Sequence, residues 1–149
     1  PQLLDRFGLS LDVKTPQDLQ TRVEVVKRRT AFDRDPHAFA AEFAEREAQL
    51  TTRLREARAR LREVAVPDAA VERAATLCQA LGTDGLRGEL TLIRAARAAA
   101  SLDGDTEVGD VHLRRVAALA LRHRLRRNVL DESGSAARVD KAVAQVFGA

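Results

Sequence analysis

The sequence predicts an all-α protein: a bundle of about four helices, preceded by a linking helix and a single strand remnant. Three observations predict it. Apolar residues make up 45% of the chain, yet there are only five Phe and no Trp, Tyr or Met, so Leu, Val and many Ala must fill the core. Ala has the best helix propensity and lets helices approach closely. Apolar positions also recur at helical spacing along most of the length. Strand alternation, by contrast, is clear at one place, Leu9-Ser10-Leu11-Asp12-Val13, and one strand makes no sheet. That segment is expected to belong to a sheet whose other strands lie outside this sequence. With Pro1 first, and Leu3, Leu4 and Phe7 arriving at once without an N-cap, the chain reads as a fragment.

The helices follow in order. Thr15-Pro16-Gln17-Asp18 is a start signal in which Thr15 caps, Pro16 takes the first helical position and Asp18 sits in the first turn. Leu19, Val23 and Val26 then share a face to about Thr30. Asp35-Pro36 repeats the signal, and a long helix follows to about Glu63. Its Phe39, Phe43, Leu50, Leu54 and Leu61 make a narrow, coiled-coil-like seam flanked by Glu42/Arg46 and Glu56/Arg60 pairs. Pro67-Asp68 opens a helix carried by Val71, Ala74, Cys78 and Leu81 and stopped at Gly82. Thr83-Asp84 caps the next, which runs from Leu86 through Leu90, Ile93 and Arg97 to Leu102 and ends at Asp103-Gly104. Asp110 caps another, with Leu113, Val116, Ala120 and, last in line, His123. Asp131 to Ser135 is a turn, and Val139, Val143 and Phe147 predict a short last helix. The expected organisation is residues 1–15 as the end of an α/β core, 16–35 as the linking helix and 36–149 as the helical bundle.

The chain is 32% charged with a net charge of +3, and 22 of its 25 basic residues are Arg. Arg suits bidentate contacts to carboxylate or phosphate, although genome composition alone gives the same bias. The single cysteine, Cys78, excludes an internal disulfide and a cysteine-rich zinc site, and it falls in an apolar helical run as a small core residue. No apolar stretch reaches the ~18 residues of a membrane span. No signal peptide is visible, and a soluble reducing compartment is expected.

No catalytic constellation is complete. The Gly-x-x-x-x-Gly-Lys-Ser/Thr phosphate loop is absent, and Gly82, Gly85 and Gly88 follow a helix rather than a strand, unlike a dinucleotide fingerprint. His37, His112 and His123 are far apart in sequence, so no metal site is expected. Taken alone, this chain is not expected to be active. Two arginines stand out by position. Arg6 lies in Leu3-Leu4-Asp5-Arg6-Phe7-Gly8, and Arg87 lies in the first turn of a helix, between Gly85 and Gly88. A helix N-terminus favours an anion, and an Arg there strengthens the site. On spacing alone the plainer readings win, Arg6 as a surface or ion-pair residue and Arg87 as a solvated first-turn residue. The basic cluster Arg122-His123-Arg124-Arg126-Arg127 has three readings: charge favoured at a helix C-terminus, a subunit interface, or a nucleic-acid contact. The last is disfavoured by the small net charge and the absence of Phe, Tyr or Trp in the cluster.

Motifs add a resemblance. Pro1-Gln2-Leu3-Leu4-Asp5-Arg6-Phe7-Gly8-Leu9 resembles the arginine-finger segment of AAA+ ATPases. The stretch from Asp84 through Arg87-Gly88-Glu89-Leu90 to Arg97 is similar to the sensor-2 helix of the subunit I family of magnesium chelatases. Leu121-Arg122-His123-Arg124-Leu125-Arg126-Arg127 with Leu130-Asp131-Glu132-x-Gly134-Ser135 matches the same family near its C-terminus. The resemblance extends over essentially the whole chain. It implies that Arg6 is an arginine finger reaching the γ-phosphate of ATP on a neighbouring subunit. It implies that Arg87 is sensor 2, contacting ATP of its own subunit, and that Asp5 lies at the same interface, orienting Arg6. The implied parent is a homo-oligomeric ring that uses ATP and Mg²⁺ and works with middle (D) and large (H) chelatase subunits to insert Mg²⁺ into protoporphyrin. Nucleic acid and membrane are not expected partners, no metal ligand is assigned here, and the implied location is bacterial cytoplasm or plastid stroma. The lid of another AAA+ machine, such as a cobalt chelatase subunit or a MoxR-like ATPase, and a helical binding module are the competing expectations.

Overall fold

The computed structural model describes residues 6–83, 85–125 and 134–148, and among these it has six α-helices and no strand. The all-α expectation therefore holds. The strand expected at Leu9–Val13 does not form: its residues are extended or irregular, and the Ser10 N–H instead donates to the Leu119 carbonyl at 2.9 Å. Alternation creates a pleat but not a ladder, and no neighbouring strand is present among the described residues to supply one. Their β pairing is limited to an isolated parallel bridge between Ala65 and Glu107.

The chain forms two compact units, Asp12–Arg55 and Pro1–Leu11 with Glu56–Ala149. The first contains α1 (Leu19–Arg34) and α2 (Pro36–Arg60) as far as Arg55. Asp18, not Thr15, caps α1: its carboxylate accepts the Thr21 N–H at 2.7 Å, and that bond holds its pKa below the usual 3.8. At the start of α2 the Asp35 carboxylate accepts the Ala38 N–H at 2.9 Å. The two helices meet through Phe32 and Phe39, edge to face at 5.9 Å, and through Arg28 over the Phe43 ring at 6.0 Å. The rest of the expected apolar faces stays open. Leu19, Val26, Leu50 and Leu54 are all exposed, and α1 buries no residue. The Glu56/Arg60 pair forms loosely at 3.9 Å, and Glu24/Arg28 makes a closer one at 2.7 Å.

The second unit holds the core. Here α3 (Asp68–Leu81), α4 (Arg87–Asp103), α5 (Asp110–Leu121) and α6 (Ser135–Phe147) pack together. Leu77, Leu92, Leu113, Leu121 and Val139 are fully buried, and Ala74, Ala96, Ala100, Ala117 and Ala120 line the close approaches between them. Each buried Leu contributes about 1.5–3 kcal/mol. Both α3 and α4 end in a Schellman motif. At Gly82 (φ 64°) the Thr83 N–H reaches the Cys78 carbonyl, and at Gly104 (φ 88°) the Asp105 N–H reaches that of Ala100.

Three expected details are corrected. Leu90 and Val71 are 55% and 47% exposed, and the buried faces run instead through Gly88, Leu92, Ala96 and Ala100 and through Ala70, Ala74 and Cys78. Small residues won these faces because they let the helix axes approach. Of the expected Thr83-Asp84 cap, Asp84 lies outside the described residues, while the Thr83 hydroxyl donates to the Cys78 carbonyl and Leu86 takes the cap position of α4. Gly109 rather than Asp110 occupies the cap of α5, and its N–H donates to His112 Nδ1 at 3.0 Å. The turn expected from Asp131 lies, up to Ser133, outside the described residues.

Candidate functional site

The start of α4 is shaped by what it lacks. Leu86, at the cap position, has no side-chain oxygen to bond the first N–H groups. Arg87 follows as the first helical residue, with an exposed side chain. Gly88 then faces inward. A Cβ there would stand 3.2 Å from Thr83 Oγ1, 3.3 Å from Cys78 Sγ and 3.5 Å from Leu121 Cδ2. Absence of that methyl lets the first turn of α4 settle on α3 and the end of α5, which fixes where Arg87 emerges. Cys78 beneath it is buried, and burial followed by the Glu89 charge pushes its thiol up to about 11. It is a packing group that stays protonated at neutral pH, as its apolar run predicts.

Arg6 is exposed and sits in the same unit as α4. Asp5 lies outside the described residues. The segment after Arg6 is held against the bundle by polar contacts. Arg124 donates to the Phe7 carbonyl at 2.9 Å and to Thr91 Oγ1 at 3.4 Å. His123 Nε2 lies 3.0 Å from the same carbonyl and also contacts Arg124. A guanidinium only donates, so the imidazole nitrogen facing it accepts, and the bond to Phe7 falls to Arg124. Gly8 runs past Thr91, whose methyl would be 4.0 Å from a Cβ at that position. Sequence reasoning singled out Arg124 only as one of a basic cluster, and Thr91 not at all. Their proximity to Phe7 joins residues 117 positions apart. Arg122, His123 and Arg124 form a short 3-10 turn beyond α5, so His123 is not the last residue of the α5 face.

The described residues bring one further group together, Asp103, Asp105 and His112, whose ligand atoms lie within 4.8 Å of one another. His112 is buried, its Nδ1 accepts the Gly109 N–H, and so its Nε2 carries the proton toward Asp105 Oδ2 at 2.9 Å. Arg115 meets Asp103 at 2.8 Å. Both imidazole nitrogens are thus used in hydrogen bonds that tie the α4–α5 loop to α5, which makes a structural network rather than a ligand set.

Comparison with known proteins places the site in context. The AAA lid domain family matches residues 71–143, which include Arg87, Thr91 and Arg124. The magnesium-chelatase 38 kDa subunit of Rhodobacter capsulatus is 55% identical over 99% of this chain and 42% of its own length. That of Acidiphilium rubrum is 59% identical over 99% of this chain and 43% of its own. The chain thus spans less than half the length of these curated relatives. An uncharacterised protein of Mycobacterium tuberculosis is 43% identical over 90% of this chain and 21% of its own length. No described helix is long and apolar enough to cross a membrane.

Proposed function

We propose that this chain, similar along 99% of its length to magnesium-chelatase 38 kDa subunits, is the nucleotide-responsive C-terminal part of an ATP-hydrolysing motor subunit. The observation that carries the proposal is identity above 50% along 99% of the chain to proteins of that name, with Arg87 opening α4 inside the matched lid. In this reading the subunit uses ATP and Mg²⁺, assembles as a ring and works with the middle and large chelatase subunits to insert Mg²⁺ into protoporphyrin. The setting is bacterial cytoplasm or plastid stroma.

The residues at the start of α4 suit a polyphosphate. Leu86 gives the first turn no cap from its own side chain, the helix start is the positive dipole end, and Arg87 adds a guanidinium there. Arg87 is the sensor-2 contact to ATP held by its own subunit. Arg6 is the finger that reaches the γ-phosphate of a neighbour's ATP, with Asp5 orienting it. Charge placed on the transferring oxygens by such a finger contributes about 10³–10⁵ in rate. Because Arg6 acts in trans, turnover requires the ring.

The test is made in the full-length protein. Arg6→Ala is expected to lower kcat for ATP by about 10³ or more while nucleotide still binds, and Arg87→Ala to raise KM. Unchanged ATPase in both variants would turn the reading toward a helical binding module without a nucleotide role. A second reading, the lid of another AAA+ machine, is favoured by the mycobacterial likeness, since that protein is far longer than the chelatase subunits. Magnesium insertion into protoporphyrin by the reconstituted subunits separates the two.

A further inference from the structure

We propose that Arg124 is a positioning residue that couples the Arg6 segment to the helix bearing Arg87. The inference rests on the finger and sensor roles proposed above and adds the link between them. Phe7 is the residue after Arg6, and Thr91 lies one turn along α4 from Arg87, on the same face. One guanidinium nitrogen of Arg124 reaches both, the Phe7 carbonyl at 2.9 Å and the Thr91 hydroxyl at 3.4 Å.

The attachment is polar by necessity. Phe7 and Leu9 are 55% and 53% exposed, so the segment is not seated by burying its own apolar side chains. Its described backbone ties to the bundle are the Phe7 carbonyl on Arg124 and the Ser10 N–H on the Leu119 carbonyl at 2.9 Å. With both ties made, the backbone beside Arg6 follows any shift of α4 and α5. With the first removed, the backbone tie that remains among the described residues is the one four residues beyond Arg6, and the backbone beside the finger is held less firmly. Hydrogen bonds from a charged donor are about twice as strong as neutral ones, which suits Arg124 as the dominant restraint. A nucleotide drawn to Arg87 thereby moves the finger offered to the next subunit.

The experiment is a mutant cycle on ATP hydrolysis by the full-length protein in its assembled state. Arg124→Ala is expected to lower kcat about tenfold. Arg124→Lys, which keeps the charge and three donors on a compact ammonium but loses the planar guanidinium fork, recovers part of that loss. In an Arg6→Ala background, Arg124→Ala should lower kcat less than twofold further, because there is no finger left to position. A further tenfold loss in that background, or no loss in the parent, overturns the inference while leaving the finger reading intact. An Arg6→Ala variant with unchanged kcat sinks the finger reading itself. Should Arg124→Ala fail to fold, Thr91→Val, which deletes one acceptor without changing shape, carries the same cycle. It is expected to cost two- to fivefold with Arg6 present and nothing without it, and equal losses in both backgrounds overturn the proposal.

Discussion

Gly88 and Cys78 are packed so closely that a methyl group on Gly88 would stand 3.3 Å from the cysteine sulfur and 3.2 Å from Thr83 Oγ1. This contact seats the first turn of α4 on α3, and the direction of Arg87 depends on it. Gly88→Ala sets a helix-propensity gain of about 0.5–1 kcal/mol against overpacking of about 1–3 kcal/mol. Overpacking wins, because the sulfur is on a buried helix. A net loss of about 1 kcal/mol is expected in urea unfolding. Cys78→Ala should relieve it, so the double variant is more stable than the sum of the singles. A stabilised Gly88→Ala would show that the first turn has room to move.

The two leucines near the start of α4 should behave in opposite ways. Leu92 is fully buried and Leu90 is 55% exposed, although they are two positions apart. Leu92→Ala leaves a cavity between α4 and α5 and is expected to cost about 2–5 kcal/mol. Leu90→Ala should stay within about 0.5 kcal/mol. Chemical denaturation of both reads the difference, and equal losses would contradict the face described here.

Stability should fall at both ends of the pH scale for separate local reasons. The Cys78 thiol is raised from 9.0 to about 11 on folding, so its contribution is complete below pH 9 and is lost as pH rises toward 11. Thiol reagents at neutral pH should react with it only as fast as the bundle opens, and fast labelling of native protein would show that it is not buried. Asp18 is shifted the other way, below 3.8. The first turn of α1 should therefore stay capped above that pH and fray as pH falls through the lowered value, seen at the Thr21 amide by NMR. In Asp18→Asn, that pH response of the Thr21 amide should disappear.

Local signals were read well where the partners are near in sequence. Pro36, Gly82, Gly104 and the spacing of Val139 and Val143 marked helix ends and faces, because capping bonds and same-face contacts join residues three to five apart. The same rules misjudged Thr15 and Leu90. A run of Thr, Gln and Asp offers several capping oxygens, and which one bonds depends on where the helix settles. A periodic helix with both Leu90 and Leu92 offers two apolar faces, and packing chose the one lined by Gly88 and alanines.

From the residues alone came the all-helical class, the breaks between helices, the buried thiol at position 78 and the two arginines beside which the functional reading is built. Only the folded chain decided which face of α4 turns inward, that His112 spends both ring nitrogens on hydrogen bonds, and that Arg124 holds the carbonyl of Phe7. The reason is range. Helix formation is governed by bonds between near neighbours, which a linear pattern records. The choice among packing partners is set by close contacts between residues up to 117 positions apart, and no spacing along the chain encodes those.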